Sequence, residues 1–193
     1  MKSQPKIILA STSPQRIQIL KMAGFEFDVI PSDYIEFDEP FLSPLEQAKK
    51  HAFNKAKAVA DVLKEGYIIG CDTVVCLDNK LIGKPKNRAH AKELIQAQQG
   101  RTFEVISGLT IFNASQERNM TIAETTKITF KPMLESEIEW YLESEEFKDK
   151  SGGFSIQGLG SRFISRIEGD YQNVVGLPIY KVYEILKLLN YPM

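Results

Sequence analysis

The sequence predicts an α/β fold with a mixed central sheet flanked by helices. Strand-like and helix-like runs alternate along all 193 residues, an order typical of α/β rather than segregated α+β domains. Some strand-like runs are separated only by a short turn, which predicts at least two hairpins and therefore antiparallel pairs in the sheet. No repeat, low-complexity tract or obvious linker divides the chain. We therefore expect one domain over 1–193, with at most two lobes.

The strands are predicted from runs rich in β-branched and aromatic residues, some of which alternate apolar and polar positions. These runs are KIILA, FEFDVI, YIIGCDTVVCLDNKLIG, RTFEVISGLTIFN, ERNMTIAETTKITF and RFISRIEG. The third run contains Asp78-Asn79, a pair that favours a tight turn, and is therefore predicted to form a hairpin.

The helices are predicted from their start and stop signals. Ser13 and Ser43 each precede a Pro at a first helical position, and Glu46 completes a capping box for the second helix. Asn87 is expected to cap a third helix. The predicted spans are Pro14 to a C-cap at Gly24, Pro44 to about Lys64, Asn87 to about Gly100, Leu134 to Ser144, and Pro178 to Leu189.

The composition is that of an ordinary globular domain, with 43% apolar and 25% charged residues. The 24 Lys and Arg nearly balance the 25 Asp and Glu, so no strong field is available to hold a nucleic-acid polymer or an anionic membrane. No run approaches the roughly 20 apolar residues of a membrane span. With two Cys and two His, neither a disulfide framework nor a Cys/His zinc site is expected. These features predict a reduced, cytoplasmic, soluble protein.

A dense hydroxyl turn lies in the stretch LASTSPQRIQIL, between the first strand and the first helix. The amides at a helix N-terminus and the hydroxyls of Ser11 and Ser13 form a natural seat for an anion. Arg16, one turn into the helix, adds a planar fork suited to phosphate. The alternative is an ordinary Ser-Pro helix start, which the chain also uses at Ser43. A Walker A motif is absent.

Two charged residues fall where apolar residues are expected. Lys55 lies on the predicted apolar stripe of the second helix, so it either extends past its neighbours to solvent or reaches an anion inside. Asp72 follows an apolar strand start, where an acid needs backbone amides, a metal ion or a water molecule as its partner. The stripe comprises Leu45, Ala48, Ala52, Val59 and Leu63.

Three further segments carry candidates beside ordinary alternatives. Lys84 lies in a Gly-Lys-Pro turn that the hairpin returns towards Asp72, although such a turn by itself favours a solvated lysine. The acidic loop PSDYIEFDEP is typical of a solvated charge run, yet one carboxylate can suffice for a magnesium ion held with substrate phosphates. Gln157, in a Gly-rich loop, offers a donor and an acceptor to a base edge. Cys71 and Cys76 are interpreted as small buried hydrophobes, and neither His fits a triad or metal pattern.

Taken together and in this order, these segments resemble the Maf family of nucleoside triphosphate pyrophosphatases. The matching stretches are ILASTSPQRIQIL, KAKAVA, GCDTVVCLDNKLIGKP, GRTFEVISGL and DKSGGFSIQGLGSRFISRIEGDYQNVVGLP, which spread over nearly the whole chain. The resemblance implies an α/β fold of two lobes around a deep cleft, similar to that of ITPases. It also implies hydrolysis of a nucleoside triphosphate to the monophosphate and pyrophosphate with Mg²⁺ or Mn²⁺, and a possible homodimer.

The resemblance assigns roles to charged and polar residues by their positions. The catalytic groups are Asp72 as the base with Lys55 and Lys84; the phosphate turn is Ser11, Ser13 and Arg16; the metal ligands are Glu36 and Asp72; and a further charged pair at the cleft mouth is Asp149 and Lys150.

Three positions separate two branches of the family. The branch that favours dTTP and UTP typically has Ser-Pro-Arg-Arg, Asp-Thr and Ile-Gln-Gly. The branch that favours 7-methyl-GTP has an aromatic residue after Ser-Pro, then Asp-Gln, and Glu in place of the last Gln. Here Thr73 and Gln157 match the first branch, and Gln15 matches neither. The resemblance therefore favours dTTP and UTP, with substrate-binding roles for all three residues, and leaves 7-methyl-GTP as the alternative.

Other classes of function fit part of the same pattern. A nucleotide-binding regulator of cell division would need the phosphate turn and the lysines but no catalytic carboxylate. Asp72 and Glu36 therefore favour an enzyme. A phosphatase that releases orthophosphate is a third alternative, and the released product distinguishes it from a pyrophosphatase.

Overall fold

The computed structural model describes residues 5–192, and strands and helices alternate along them as predicted. The strands are Ile7–Leu9 (β1), Phe27–Val29 (β2), Tyr67–Leu77 (β3), Lys80–Ile82 (β4), Thr102–Asn113 (β5), Arg118–Phe130 (β6) and Ile164–Glu168 (β7). The α-helices are Pro14–Met22 (α1), Pro44–Leu63 (α2), Arg88–Gln98 (α3), Glu135–Glu143 (α4), Tyr171–Val175 (α5) and Ile179–Leu188 (α6). Short 3₁₀ helices cover Ala114–Gln116, Ser151–Gly153 and Leu159–Phe163.

The strands form one mixed sheet flanked by helices, which confirms the predicted fold class. The order is β2-β1-β3-β5-β6-β7, and β4 pairs with β3 outside this path. Strand β1 runs parallel to both β2 and β3, whereas the pairs β3/β4 and β6/β7 are antiparallel. At the tip of the β3/β4 hairpin Asp78 and Asn79 both have positive φ, 52° and 60°, the backbone that a tight two-residue hairpin requires.

The helix starts follow the predicted capping signals, and the differences are local. Ser13 caps α1, and Ser43 with Glu46 forms a capping box on α2. The residue that caps the C-terminus of α1 is Ala23, and Gly24 follows it with a φ of 78°. Helix α5 was not predicted, because five residues are too few for a helical periodicity to show in the sequence.

The chain forms two compact units. The first comprises the described residues of Met1–Asp72, Ser107–Glu124 and Gly176–Met193, and the second comprises Thr73–Ile106 and Thr125–Val175. The chain passes from the first to the second between Asp72 and Thr73, in the middle of β3.

In the first unit, α2 packs closely on the sheet at two glycines. A Cβ added to Gly70 of β3 would overlap the backbone of Ala52 and Ala56, and one added to Gly108 of β5 would overlap the backbone of Ala48. The three alanines are fully buried. The lack of a side chain at each glycine therefore lets the α2 backbone approach the strands directly.

The buried face of α2 differs from the predicted stripe. Leu45 is 40% exposed, whereas Gln47 and His51 are 1% and 2% exposed. Ala56 and Ala60 are also buried. Gly70 and Gly108 on the strands decide which side of α2 approaches the sheet. The buried face therefore includes the polar residues Gln47 and His51, whereas Leu45 lies outside it.

The core of the second unit is built on aromatic rings. Phe103, Phe130 and Phe154 form a set of edge-to-face contacts with ring centroids 4.9–5.4 Å apart. Phe163 joins Phe130 to the ring of Tyr141. This geometry favours aromatic pairs beyond the apolar area that they bury, so it stabilises the unit from which Thr73, Lys84 and Gln157 come.

None of the helices within residues 5–192 is long and apolar enough to cross a membrane.

Because α2 packs directly on the strands, we expect one methyl group added at this contact to lower the stability of the protein. Gly108→Ala should lower the free energy of unfolding by roughly 1–3 kcal/mol, the range for overpacking, because its Cβ meets the backbone of Ala48. The measurement is urea unfolding followed by circular dichroism. Gly83→Ala is the matched control, since a Cβ there meets nothing within 4 Å. Equal unfolding midpoints for the two variants would contradict the packing described.

Candidate active site

The hydroxyl turn before α1 forms a hydrogen-bonded network around Ser13. Its hydroxyl caps the helix by accepting from the backbone N–H of Arg16 at 3.5 Å and donates to Oε1 of Gln15 at 3.2 Å. The backbone N–H of Ser13 donates to the hydroxyl of Ser11 at 3.2 Å. The structure therefore brings the predicted phosphate-turn residues together, and it places Gln15 among them.

The guanidinium of Arg16 is anchored on two sides. Its Nε donates to the carbonyl oxygen of Gly176 at 2.9 Å, and its Nη1 donates to the hydroxyl of Ser11 at 3.1 Å. The same carbonyl of Gly176 accepts from the thiol of Cys71 at 3.3 Å. These bonds hold a planar cation against the turn, where it adds positive charge to the N-terminus of α1.

Strand β3 presents Asp72 to α2 by simple alternation. Successive strand residues point to opposite faces, so Asp72 shares the face of Gly70 and Ile68. Gly70 contacts α2 directly, and Ile68 belongs to the apolar cluster that contains Ala56 and Val59 of α2. Asp72 is only 7% exposed. A buried carboxylate at this position needs a partner.

Lys55 of α2 provides that partner. Its Nζ lies 2.7 Å from Oδ1 of Asp72 and 2.6 Å from Oε1 of Glu36. The Lys55 side chain is 13% exposed, the Asp72 side chain 10% and the Glu36 side chain 51%. Of the two alternatives for Lys55, the structure therefore favours the one in which it reaches an anion inside, and it brings together three of the predicted site residues.

One ammonium group serves two carboxylates in this cluster, so the carboxylates are short of positive charge. Carboxylate oxygens are the ligands that Mg²⁺ and Mn²⁺ prefer. Within residues 5–192 no group of three or more His, Cys, Asp or Glu side chains is placed to hold a metal ion. A donor set of two carboxylates, Asp72 and Glu36, fits a divalent ion that takes its remaining ligands from phosphate oxygens and water.

The acidic loop is tied to α2 by more residues than Glu36. Lys50 donates to the carbonyl oxygen of Phe37 at 3.1 Å and to Glu39 at 2.5 Å. His51 lies 2.9 Å from Oδ1 of Asp38 and 3.0 Å from the hydroxyl of Tyr34. The sequence interpretation set His51 aside. The signals that could have found it are its position one turn before Lys55 and the alternation of Tyr34, Glu36 and Asp38.

The other predicted residues belong to the second unit. Thr73 follows Asp72 in β3, and Lys84 is exposed in the turn after β4. The β3/β4 register pairs Ile82 with Val75, so the hairpin returns the chain towards the Thr73 end of β3. The carbonyl oxygen of Gly83 accepts from the N–H of Gly152 at 3.1 Å, which joins the turn of Lys84 to the loop that follows Asp149 and Lys150.

Gln157 is exposed in the Gly-rich loop, and Glu146 organises the backbone after it. The Glu146 carboxylate accepts from the N–H groups of Leu159 and Gly160 at 3.0 and 3.2 Å. A Cβ at Gly158 would overlap that carboxylate. Sequence reasoning missed Glu146, which lies among several acidic residues and shows no distinguishing spacing. Roles for Gln157, Lys84, Asp149 and Lys150 stay predictions.

Both cysteines are buried, as predicted, and neither forms a disulfide within residues 5–192. The Cys71 thiol donates a hydrogen bond to the carbonyl oxygen of Gly176, and burial raises the pKa of the Cys76 thiol. A buried thiol with a raised pKa is a poor nucleophile and a poor metal ligand. Cys76 therefore does not compete with the carboxylates as the chemical centre.

The sequence is similar over nearly its whole length to proteins with a common description. A family model described as "Maf-like protein" matches residues 6–189. A protein named dTTP/UTP pyrophosphatase from Bacillus anthracis is 41% identical over 185 residues, 96% of each chain. One of the same name from Bacillus cereus is 40% identical over 189 residues, 98% of this chain and 92% of that one.

A solved structure of a nucleoside-triphosphatase / dITP/XTP pyrophosphatase from Mycobacterium abscessus aligns with a TM-score of 0.48. The two chains are 13% identical, and the alignment covers 97% of this chain and 100% of that one.

Because Asp72 and Glu36 share the ammonium group of Lys55, we expect its removal to destabilise the protein. Lys55→Met should lower the free energy of unfolding by roughly 3 kcal/mol or more, because it leaves the buried Asp72 without its cation. Urea unfolding measures the change. Lys57→Met is the matched control on the same helix, since its ion pair with Asp61 is solvent-exposed, and its midpoint should stay close to that of the wild type. If Lys55→Met and Lys57→Met have the same urea midpoint, the Lys55–Asp72 ion pair does not contribute the stability assigned to it.

Proposed function

We start from the fact that this chain belongs to the Maf-like protein family, and we propose that it is a nucleoside triphosphate pyrophosphatase acting on dTTP and UTP. The observation that carries the proposal is the pairing of Lys55 with both Asp72 and Glu36. A binding module would need cations for the phosphates, but it would have no use for a buried carboxylate. The relatives named dTTP/UTP pyrophosphatase support the same activity.

The triphosphate would bind at the turn before α1. The positive end of the α1 dipole, the hydroxyls of Ser11 and Ser13, and the Arg16 guanidinium all suit phosphate oxygens. Arg16 is already oriented by Gly176 and Ser11, so little conformational entropy is lost when it binds an anion.

Asp72 would act as the general base. It accepts a proton from a water molecule as the water oxygen forms a bond to the α-phosphorus, and the bond from that phosphorus to the bridging oxygen breaks. Pyrophosphate is the leaving group. Lys55 holds the Asp72 carboxylate in place and compensates negative charge that develops on the phosphoryl oxygens.

Glu36 and Asp72 would hold Mg²⁺ or Mn²⁺. When bound, such an ion neutralises phosphate charge and lowers the pKa of a coordinated water. The half-exposed Glu36 carboxylate supports this role, because an oxygen ligand there stays open to solvent and substrate.

The preference for the base follows from the family resemblance. Thr73 and Gln157 match the dTTP and UTP branch, and we propose that they contact the pyrimidine. Gln15 accepts from the Ser13 hydroxyl, so its amide orients the phosphate turn in place of the extra Arg of that branch. Lys84 would add positive charge for the triphosphate. The homodimer and the cytoplasmic location remain predictions.

The proposal is tested by product analysis with a panel of triphosphates in the presence of Mg²⁺. The panel includes dTTP, UTP, 7-methyl-GTP and modified pyrimidines. From dTTP and from UTP, we expect one molecule of pyrophosphate to be released for each molecule of the monophosphate. In water labelled with ¹⁸O, the label should enter the monophosphate. Orthophosphate as the product would indicate a phosphatase, preference for 7-methyl-GTP would move the protein to the other branch, and binding without product would indicate a regulator.

The role of Asp72 predicts a large loss of turnover. Asp72→Asn keeps the size of the side chain but removes the base, and it should lower kcat by roughly 10²- to 10⁴-fold while nucleotide binding stays measurable. Calorimetric titration with a non-hydrolysable analogue and steady-state kinetics measure the two quantities. Asp33→Asn makes the same chemical change at an exposed position of the acidic loop and should leave kcat near the wild-type value. Near-normal turnover by Asp72→Asn would remove Asp72 from the role of base.

A further inference from the structure

Residues 31–39 belong to no helix or strand, yet their side chains alternate in a regular way. Tyr34, Glu36 and Asp38 all bond to side chains of α2. Ile35 and Phe37, which lie between them, are 85% and 72% exposed. Side-chain contacts to one helix therefore fix the direction in which Glu36 points.

His51 is at the centre of these contacts. Its side chain is 2% exposed, and both ring nitrogens are used: Nε2 lies 2.9 Å from Oδ1 of Asp38, and Nδ1 lies 3.0 Å from the hydroxyl of Tyr34. Tyr34 precedes Glu36 by two residues and Asp38 follows it by two. A single imidazole thus holds the loop on both sides of Glu36.

His51 and Lys55 lie one helical turn apart on α2, so they share a face. Lys55 fixes the carboxylate of Glu36, and His51 fixes the backbone from which that carboxylate extends. Because the Glu36 side chain is half-exposed, little packing around it opposes a change of position. Its position therefore depends on the two ends of the loop being held.

The two bonds also define the tautomer of His51. A carboxylate can only accept a hydrogen bond, so Nε2 carries the proton and donates it to Asp38. In the neutral ring Nδ1 is then an acceptor, and the Tyr34 hydroxyl donates to it. Because Nε2 donates and Nδ1 accepts, the hydrogen bonds of His51 to Asp38 and Tyr34 are more specific than packing alone.

We propose that His51 is a positioning residue for the hydrolysis, which clamps the acidic loop at Tyr34 and Asp38 so that Glu36 stays beside Lys55 and Asp72. The role rests on the function proposed above. In this role His51 does not contact the reacting atoms, and it acts only through the loop.

The first test uses readouts that do not depend on turnover. Nitrogen-15 spectra of the histidine rings should show the Nε2–H tautomer for His51. With only two histidines in the chain, His90→Gln assigns the signals. Hydrogen exchange of the amides of residues 32–40 should be faster in His51→Leu and in the double variant Tyr34→Phe/Asp38→Ala than in the wild type. An Nδ1–H tautomer, or unchanged exchange in both variants, would overturn the clamp.

The second test separates positioning from simple stability. In the double variant Tyr34→Phe/Asp38→Ala, we expect the Mg²⁺ concentration for half-maximal activity to rise roughly 10- to 100-fold, the usual effect of losing a residue that orients a ligand. His51→Gln retains an amide donor for Asp38 and should recover part of the loss seen in His51→Leu. The double variant changes only side chains of the loop and leaves the buried His51 in place. It therefore tests the clamp even if His51→Leu does not fold.

The controls are Asp33→Asn in the same loop and His90→Gln, and both should have wild-type Mg²⁺ dependence. Folded variants of the clamp with wild-type Mg²⁺ dependence and kcat would overturn the positioning role and leave the proposed function intact. A wild-type chain that releases no pyrophosphate from any triphosphate would overturn the proposed function, and the positioning role with it.

Discussion

The close packing of α2 on β3 and β5 is the constraint on which the site depends. Gly70 and Gly108 leave no side chain between helix and sheet, and the backbone of α2 fills that space. At this short separation Lys55 cannot turn away from the strand without leaving Asp72 buried and unpaired. The same helix presents His51 and Lys50 to the acidic loop. One packing contact therefore sets the positions of Asp72, its cation Lys55 and the second carboxylate, Glu36.

The charge balance follows from this geometry. Two carboxylates share one ammonium group, while the Arg16 guanidinium is held at the turn before α1 by Gly176 and Ser11. Such a site combines a seat for anions with carboxylates that attract a cation. A triphosphate with its divalent ion carries both signs of charge, which is why it suits this arrangement better than a free anion does. The family relationship supports the same substrate class.

Local signals in the sequence predicted most elements because caps, turns and alternation act over a few residues. The sheet order was not predictable in this way, since the position of β1 between β2 and β3 depends on distant pairing. Lys55 and Asp72 were found because each breaks an apolar pattern. Leu45 was wrongly placed on the buried face, because the glycines that orient α2 lie on other segments. His51 was missed since a polar residue on a helix gives no sign of burial until its partners are known.

The most direct test of the site is a crystal structure with Mn²⁺ and a dTTP analogue in which an NH group replaces the oxygen between the α- and β-phosphorus atoms. Anomalous diffraction at the manganese edge locates the ion independently of any assumption about its ligands. We expect manganese in contact with the carboxylates of Asp72 and Glu36, and triphosphate oxygens at Ser11, Ser13 and Arg16. A well-ordered triphosphate whose manganese touches neither carboxylate would contradict this expectation.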